Sequence, residues 1–171
     1  MKYIELTQNK KAMVDDEDFE WLNSFKWYYH CAKRKTGRKT GYAMRDVSLG
    51  FDKNHKRLWK HIYMHREINK TPEDMLTDHQ DGNGLNNQRF NLRTATRSLN
   101  GFNRGRDNNN ASSDIYKGVY WHKQISRWYS RIAFNGKDKY LGTFDTARDA
   151  AKAYNLAALE YHGEFARLNN V

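Results

Sequence analysis

Cysteine is nearly absent from this chain. The single Cys31 among 171 residues excludes an internal disulfide and any zinc site built on CxxC pairs. It sits between His30 and Ala32 in an aromatic stretch with no acid-base partner in sequence, so it reads as a structural thiol. Long apolar runs are also missing. None reaches the roughly 18–20 residues that a membrane-spanning helix needs, and the opening MKYIELTQNKK has no apolar core of the kind a secretory leader carries. The expectation is an intracellular, cytoplasmic protein with no membrane partner. Acidic residues are the minority, 20 Asp and Glu against 30 Lys and Arg, for a formal net charge of +10. A basic balance with 14% aromatics points to a polyanion, and nucleic acid is the usual one.

The charge is unevenly spread. Residues 1–60 hold fourteen Lys and Arg against eight Asp and Glu, residues 61–110 seven against six, and residues 115–171 nine against five. A protein that only coats DNA would be basic throughout. A nuclease must place acidic or polar metal ligands where it cuts, and the nearly neutral middle segment fits that need. The domain expectation follows: a basic, β-rich segment over 1–60, a core over 61–105, a linker over 106–114 and a separate domain over 115–171. The linker reading rests on the run from Arg104 to Asp114, whose only apolar residue is Ala111.

In the first segment, aromatic and polar residues alternate around Phe25-Lys-Trp-Tyr-Tyr29, and Lys35-Thr-Gly-Arg38 is a turn candidate, so short strands are expected. The acidic run Asp15–Asp18 precedes Phe19, Trp21 and Leu22. It reads as the first turn of a helix, where carboxylates favour the positive N-terminal end, ahead of a metal site. His61 and His65 have helical i,i+4 spacing like a zinc pair. No acidic third ligand follows, and residues 57–64 alternate like a strand. On residue chemistry alone, His30, His55, His122 and His162 read as surface or satisfied core residues.

The middle stretch holds the chemistry. Met75 to Thr77 suggest a strand delivering Asp78 and His79. Gly82, Asn83, Gly84, Asn86 and Asn87 supply turn residues, Leu92 to Ala95 a second strand, and Ser98 to Arg104 a helix carrying Asn100. Phosphodiester hydrolysis needs a base to deprotonate water and a cation to offset charge on the phosphate. Histidine suits the first task, and the oxygens of Asp78 and Asn100 suit magnesium or manganese for the second. Adjacent strand residues face opposite ways, so Asp78 and His79 share a site only if the strand bends or ends there.

The pieces His65-Arg66, Asp78-His79, Asn86-Asn87, Asn91-Leu92-Arg93 and Asn100 resemble the HNH nuclease family of phage and intron homing enzymes. The resemblance covers about 40 residues. It implies a ββα-metal fold, with His79 as general base, Asn91 orienting that histidine, and Asp78 and Asn100 binding one divalent metal, Mg²⁺ or Mn²⁺. His65, Arg93 and Arg104 are candidate phosphate contacts. Asn86 stands where relatives commonly carry Asp.

The last segment changes pattern. Tyr116 to Lys123, Arg127 to Phe134 and Lys137 to Leu141 read as three strands, with Asn135-Gly136 as a hairpin turn. Apolar residues from Ala147 to Tyr161 recur on one face of a helix that Gly163 would end. Tyr116-Lys-Gly-Val119, Arg127-Trp128, Tyr140-Leu-Gly-Thr-Phe-Asp145, the alanine pairs and Arg167-Leu-Asn169 resemble the APETALA2/ethylene-response-factor domain. That resemblance implies a three-stranded sheet docked in the major groove of double-stranded DNA, with Lys117, Tyr120, His122, Arg127, Arg131, Lys139 and Tyr140 as DNA-binding residues. Lys117, Tyr120 and His122 stand where Arg is usual. The expected fold class is therefore α+β: a small β-rich segment, a ββα-metal core, then a three-stranded antiparallel sheet packed on one helix. The expected function is a site-directed DNA endonuclease of the homing type, at work in a phage or bacterial host cell, a monomer or weak dimer nicking one strand per monomer. The alternative is a non-cleaving sequence-specific DNA-binding regulator. RNA binding lacks its stacking motifs.

Overall fold

The computed structural model describes residues 1–33, 39–105 and 116–171. They divide into two compact units, Met1–Arg97 and Ser98–Val171. The turn expected at Lys35–Arg38 and the expected linker, residues 106–114, lie outside the described residues.

The first unit opens with a hairpin of β1 (Lys2–Glu5) and β2 (Lys11–Val14). Alternation places Ala12 and Val14 of β2 inward. Helix α1 (Asp16–Asn23) follows, with Asp16, Glu17 and Asp18 in its first turn as the helix dipole favours. A sheet in the order β3 (Tyr28–Lys33), β4 (Lys39–Phe51), β5 (Arg57–Tyr63) comes next, antiparallel throughout. Helix α2 (Met64–Asn69) leads into a second hairpin, β6 (Leu76–His79) with β7 (Leu92–Ala95). One core joins these parts: Ile4, Val14, Leu22, Trp27, Met64 and Leu92 belong to a single buried cluster. The expected boundary between residues 60 and 61 falls inside β5. The strand pairs with β4 on both sides of that point, and the core spans it.

Helix α3 (Arg97–Phe102) starts at the division. The rest of the second unit is a sheet in the order β10 (Lys137–Phe144), β9 (Arg127–Phe134), β8 (Val119–His122), covered by α4 (Ala147–His162). Asn135 and Gly136 join β9 to β10 with φ of 51° and 73°, the backbone of a two-residue type I′ turn. Thr146 caps α4, its hydroxyl oxygen accepting from the Asp149 N–H at 3.1 Å. Ala150, Ala151 and Ala158 are fully buried and let the helix lie close to Val119 and Ile132. The whole is a mixed α and β protein of antiparallel sheets and few helices, with a sheet-on-helix second unit as expected.

Candidate active site and nucleic-acid face

Strand β6 ends at His79, where the Gly82 N–H bonds back to the His79 carbonyl at 2.9 Å and begins the connecting loop. Asp78 and His79 are both buried, 5% and 6% exposed. Asp78 is paired across the hairpin with Arg93, whose Nε and NH2 donate to Asp78 Oδ2 at 2.9 and 2.7 Å. His79 turns to other neighbours, as alternation along a strand requires. Its Nε2–H donates to Asn87 Oδ1 at 3.2 Å, and its ring stands edge-on to His65, centroids 5.0 Å apart. Tyr42 and Tyr63 complete an aromatic wall around His65, at 5.4 and 5.2 Å.

The environment sets the charge states. Burial pushes the His79 imidazole below its ordinary range, against the Asn87 hydrogen bond and the nearby carboxylates of Asp81 and Asp78. Burial, with His79 and Arg66 nearby, pushes His65 down to about 3. His65 Nδ1 is buried without a hydrogen-bond partner. This site is therefore two neutral imidazoles in an apolar wall, beside a carboxylate that an arginine neutralises.

The loop between β6 and β7 is built on side-chain amides. Asn91 Nδ2 donates to Asp81 Oδ1 at 3.0 Å and to the Asn86 carbonyl at 2.8 Å, while its Oδ1 accepts from the Asp81 N–H at 3.0 Å. The partner of His79 expected to be Asn91 is thus Asn87, whose Oδ1 accepts from the imidazole. Asn91 instead holds the loop together. Asn86 donates to Asp81 Oδ2 at 2.8 Å, which fits a structural role at that position. Strand β2 pins the same loop: the Asn87 N–H bonds to the Met13 carbonyl and the Met13 N–H to the Leu85 carbonyl, both at 2.8 Å. Arg89 adds a bidentate pair with buried Asp18, at 2.8 and 2.7 Å, so the acidic run of α1 also clamps the loop.

Other expectations fare differently. His65 is enclosed by rings and would have to move to touch a phosphate. The His61–His65 zinc pairing, already set aside on the sequence, gains nothing here: the chain changes from strand to helix between them, and His61 Nδ1 bonds Asp46 Oδ1 at 2.7 Å. Asn100 lies half-buried on α3, and Arg104 is exposed beyond it. Among the described residues, no group of three or more His, Cys, Asp or Glu is arranged to hold a metal.

The second unit presents a sheet face away from α4. It carries Tyr120, His122, Arg127, Tyr129, Arg131 and Tyr140, placed by alternation opposite the inward Val119, Ser130 and Ile132. The rings form a ladder: Tyr120 stacks on Tyr129 at 5.3 Å, and Tyr129 meets Tyr140 at 6.4 Å. The Arg131 guanidinium lies over the Tyr120 ring at 4.6 Å and pairs with Asp138 at 2.9 Å. Two expected contacts are not on this face. Lys139 pairs opposite inward Ile132, and its ammonium lies against the Tyr161 hydroxyl of α4. Lys117 precedes β8, and its Nζ donates to the Phe102 carbonyl beside the Tyr154 ring. Burial pushes that ammonium down to about 8. Phe102 stacks on His162 with centroids 3.8 Å apart, so the end of α3 belongs to this unit and lines a cavity of about 180 Å³ with Lys117, Tyr120 and Arg131.

The AP2 domain model matches residues 115–164. An uncharacterized HNH endonuclease of Acanthamoeba polyphaga mimivirus is 32% identical over 162 residues, covering 94% of this chain and 75% of that protein. This chain belongs to the family of that viral HNH endonuclease. Within this HNH family member, the AP2 domain indicates DNA binding. The AP2-like ethylene-responsive transcription factor ANT of Arabidopsis thaliana is 32% identical over 152 residues, 87% of this chain but 25% of that protein. Arabidopsis AIL6, another AP2-like ethylene-responsive transcription factor, is 44% identical over 69 residues, 39% of this chain and 11% of that protein. The chain thus spans about a quarter or less of these plant relatives. No helix among the described residues is long and apolar enough to cross a membrane.

Proposed function

We propose that this chain binds double-stranded DNA through the ring-and-arginine face of residues 116–171 and hydrolyses it with His79 as general base. The observation that carries the cleavage reading is the state of His79. Its imidazole is neutral because it is buried, and it is oriented because Nε2–H is given to Asn87. Nδ1 then carries the lone pair that can take a proton from water. The order β6, β7, α3 in the chain supports the ββα reading.

A divalent cation, Mg²⁺ or Mn²⁺, would supply charge compensation at the phosphate. Asp78 offers the hard oxygen chemistry such an ion takes, and the resemblance adds Asn100. Arg93 holds the Asp78 carboxylate in this structure, so a cation would have to share or displace that pairing. The same pairing favours a second reading, a DNA-binding regulator that does not cut, and the plant transcription factors support it as well.

One assay separates the two. Supercoiled plasmid incubated with the purified chain and Mg²⁺ or Mn²⁺ should be nicked, and EDTA should abolish nicking. Binding of linear duplex without nicking in either metal leaves the regulator.

A further inference from the structure

The β4–β5 hairpin outgrows its own domain. From Ser48 to Lys60 every residue is exposed except the half-buried Asp52, on both faces of the ribbon. A two-stranded ribbon with no core on either side normally carries small polar residues. This one carries large rings and cations. Phe51 is 60% exposed and Trp59 48%. The Arg57 guanidinium lies over both rings, at 5.2 and 5.4 Å. Register puts Phe51 opposite Arg57 and Ser48 opposite Trp59, so these groups share one face. Leu49 and Leu58 are exposed on the ribbon too.

The tip is preformed. The Asp52 carboxylate accepts the Asn54 and Lys56 N–H groups at 2.8 and 2.9 Å, and the Asp52 N–H bonds to the Lys56 carbonyl at 2.9 Å. The one acidic side chain of the tip is thereby spent on backbone, and Lys53, Lys56, Arg57 and Lys60 carry the outward charge. A register shift between Ser48 and Phe51, with Gly50 at φ 91°, bends and twists the ribbon.

We infer that the β4–β5 ribbon is a second DNA-contacting element, entering a groove of the duplex with Arg57 and Trp59 while Lys53, Lys56 and Lys60 meet phosphates. Duplex DNA is the occupant that both charge and shape select. A two-stranded ribbon fits the major groove, which is about 12 Å wide. The tip is cationic on a ribbon with both faces open, whereas a protein-docking face would present one apolar side. Ring-backed arginine keeps its donors in a fixed fork, which suits base edges and phosphates alike. The inference rests on the DNA-binding reading above.

The test uses the full chain on a mixed-sequence linear duplex, with affinity measured across a salt series. The variants are Arg57→Ala/Trp59→Ala, and Lys53→Ala/Lys56→Ala/Lys60→Ala. All five side chains are exposed, so thermal melting should match the parent. The lysine variant should bind about tenfold or more weakly at moderate salt, with the slope of log affinity against log salt reduced by about 0.9 for each lost phosphate contact. The Arg57/Trp59 variant should shorten the footprint on one flank. If the parent binds duplex and both variants match its affinity, slope and footprint, the ribbon inference falls and the DNA-binding reading stands. If the parent itself binds no duplex, both fall. Unchanged DNA binding with loss of self-association in the variants would assign the ribbon to a second copy and overturn the inference.

Discussion

At the residue scale, four side chains in and around the buried histidine cluster make separate predictions. His79→Ala should slow cutting by about 100-fold or more and leave DNA affinity unchanged, since losing a general base costs about 10²–10⁴. Plasmid nicking and gel shifts on one preparation measure both, and near-parental cutting would remove His79 from the chemistry. Asn87 and Asn91 should separate in kind. Asn87→Ala frees the imidazole and should lower the cutting rate. Asn91→Ala breaks the three hydrogen bonds by which this buried amide holds the loop and should cost about 2–3 kcal/mol of stability. Urea denaturation of the two variants distinguishes them, and equal losses of stability would refute the division of roles. His65 controls acid stability. Its folded pKa of about 3 lies below the ordinary histidine value, so the unfolded chain binds the extra proton between the two. Its stabilising effect is complete above pH of about 6.5 and is lost as pH falls toward 3. His65→Phe should therefore survive to lower pH than the parent, read by near-ultraviolet circular dichroism. His79 shifts in the same direction, so some acid lability should remain.

At the element scale, strands and turns were the legible part. β9 begins at Arg127 and ends at Phe134 as alternation implies, β7 runs from Leu92 to Ala95, and the Asn135-Gly136 turn has the positive φ pair its residues demand. Local chemistry fixes such features. Side-chain partners were legible only where one strand face decides them, as for Tyr120, Arg131 and Tyr140. Lys139 was misplaced because it is next to Tyr140 on β10 and successive strand residues face opposite ways, so the two cannot share the outer face. Asn87 went unseen because an amide in a glycine-rich stretch reads as turn chemistry, and only the tertiary course of the loop brings it to His79. Phe102 and His162 are 60 residues apart in the chain, and no local pattern links them. The close fit of α4 to the sheet gives a test at this scale. Gly118 has φ of 73°, and a Cβ there would meet the Tyr154 ring at 2.1 Å and the Arg131 carbonyl at 2.7 Å. Gly118→Ala combines a forbidden backbone with overpacking and should cost at least about 2 kcal/mol. A chemical melt reporting on Trp121 and Trp128 would measure it, and a change under about 0.5 kcal/mol would show that the helix can back away from the sheet.

For the whole molecule, the proposed function divides binding and cutting between different residues, so their responses to salt and substitution should differ. With a net charge of +10, phosphate contacts are expected to supply much of the affinity, so binding should weaken steeply with salt. Arg131 decides what the AP2 face adds. In this structure it is stacked on Tyr120 and paired with Asp138, which holds the guanidinium in one orientation. If it reads a base edge bidentately, Arg131→Ala should cost about 1–3 kcal/mol on the preferred sequence, relax preference at one position and leave the salt slope unchanged. If it touches only phosphate, binding should fall about equally on all sequences with a slope shallower by about 1. Selection of bound duplexes from a random pool, repeated with the variant at two salt concentrations, separates these outcomes. In both cases the turnover of plasmid already bound at saturating protein should match the parent, because Arg131 takes no part in proton transfer at His79. A parental preference and a parental slope together would show that the ring-and-arginine face does not hold the duplex.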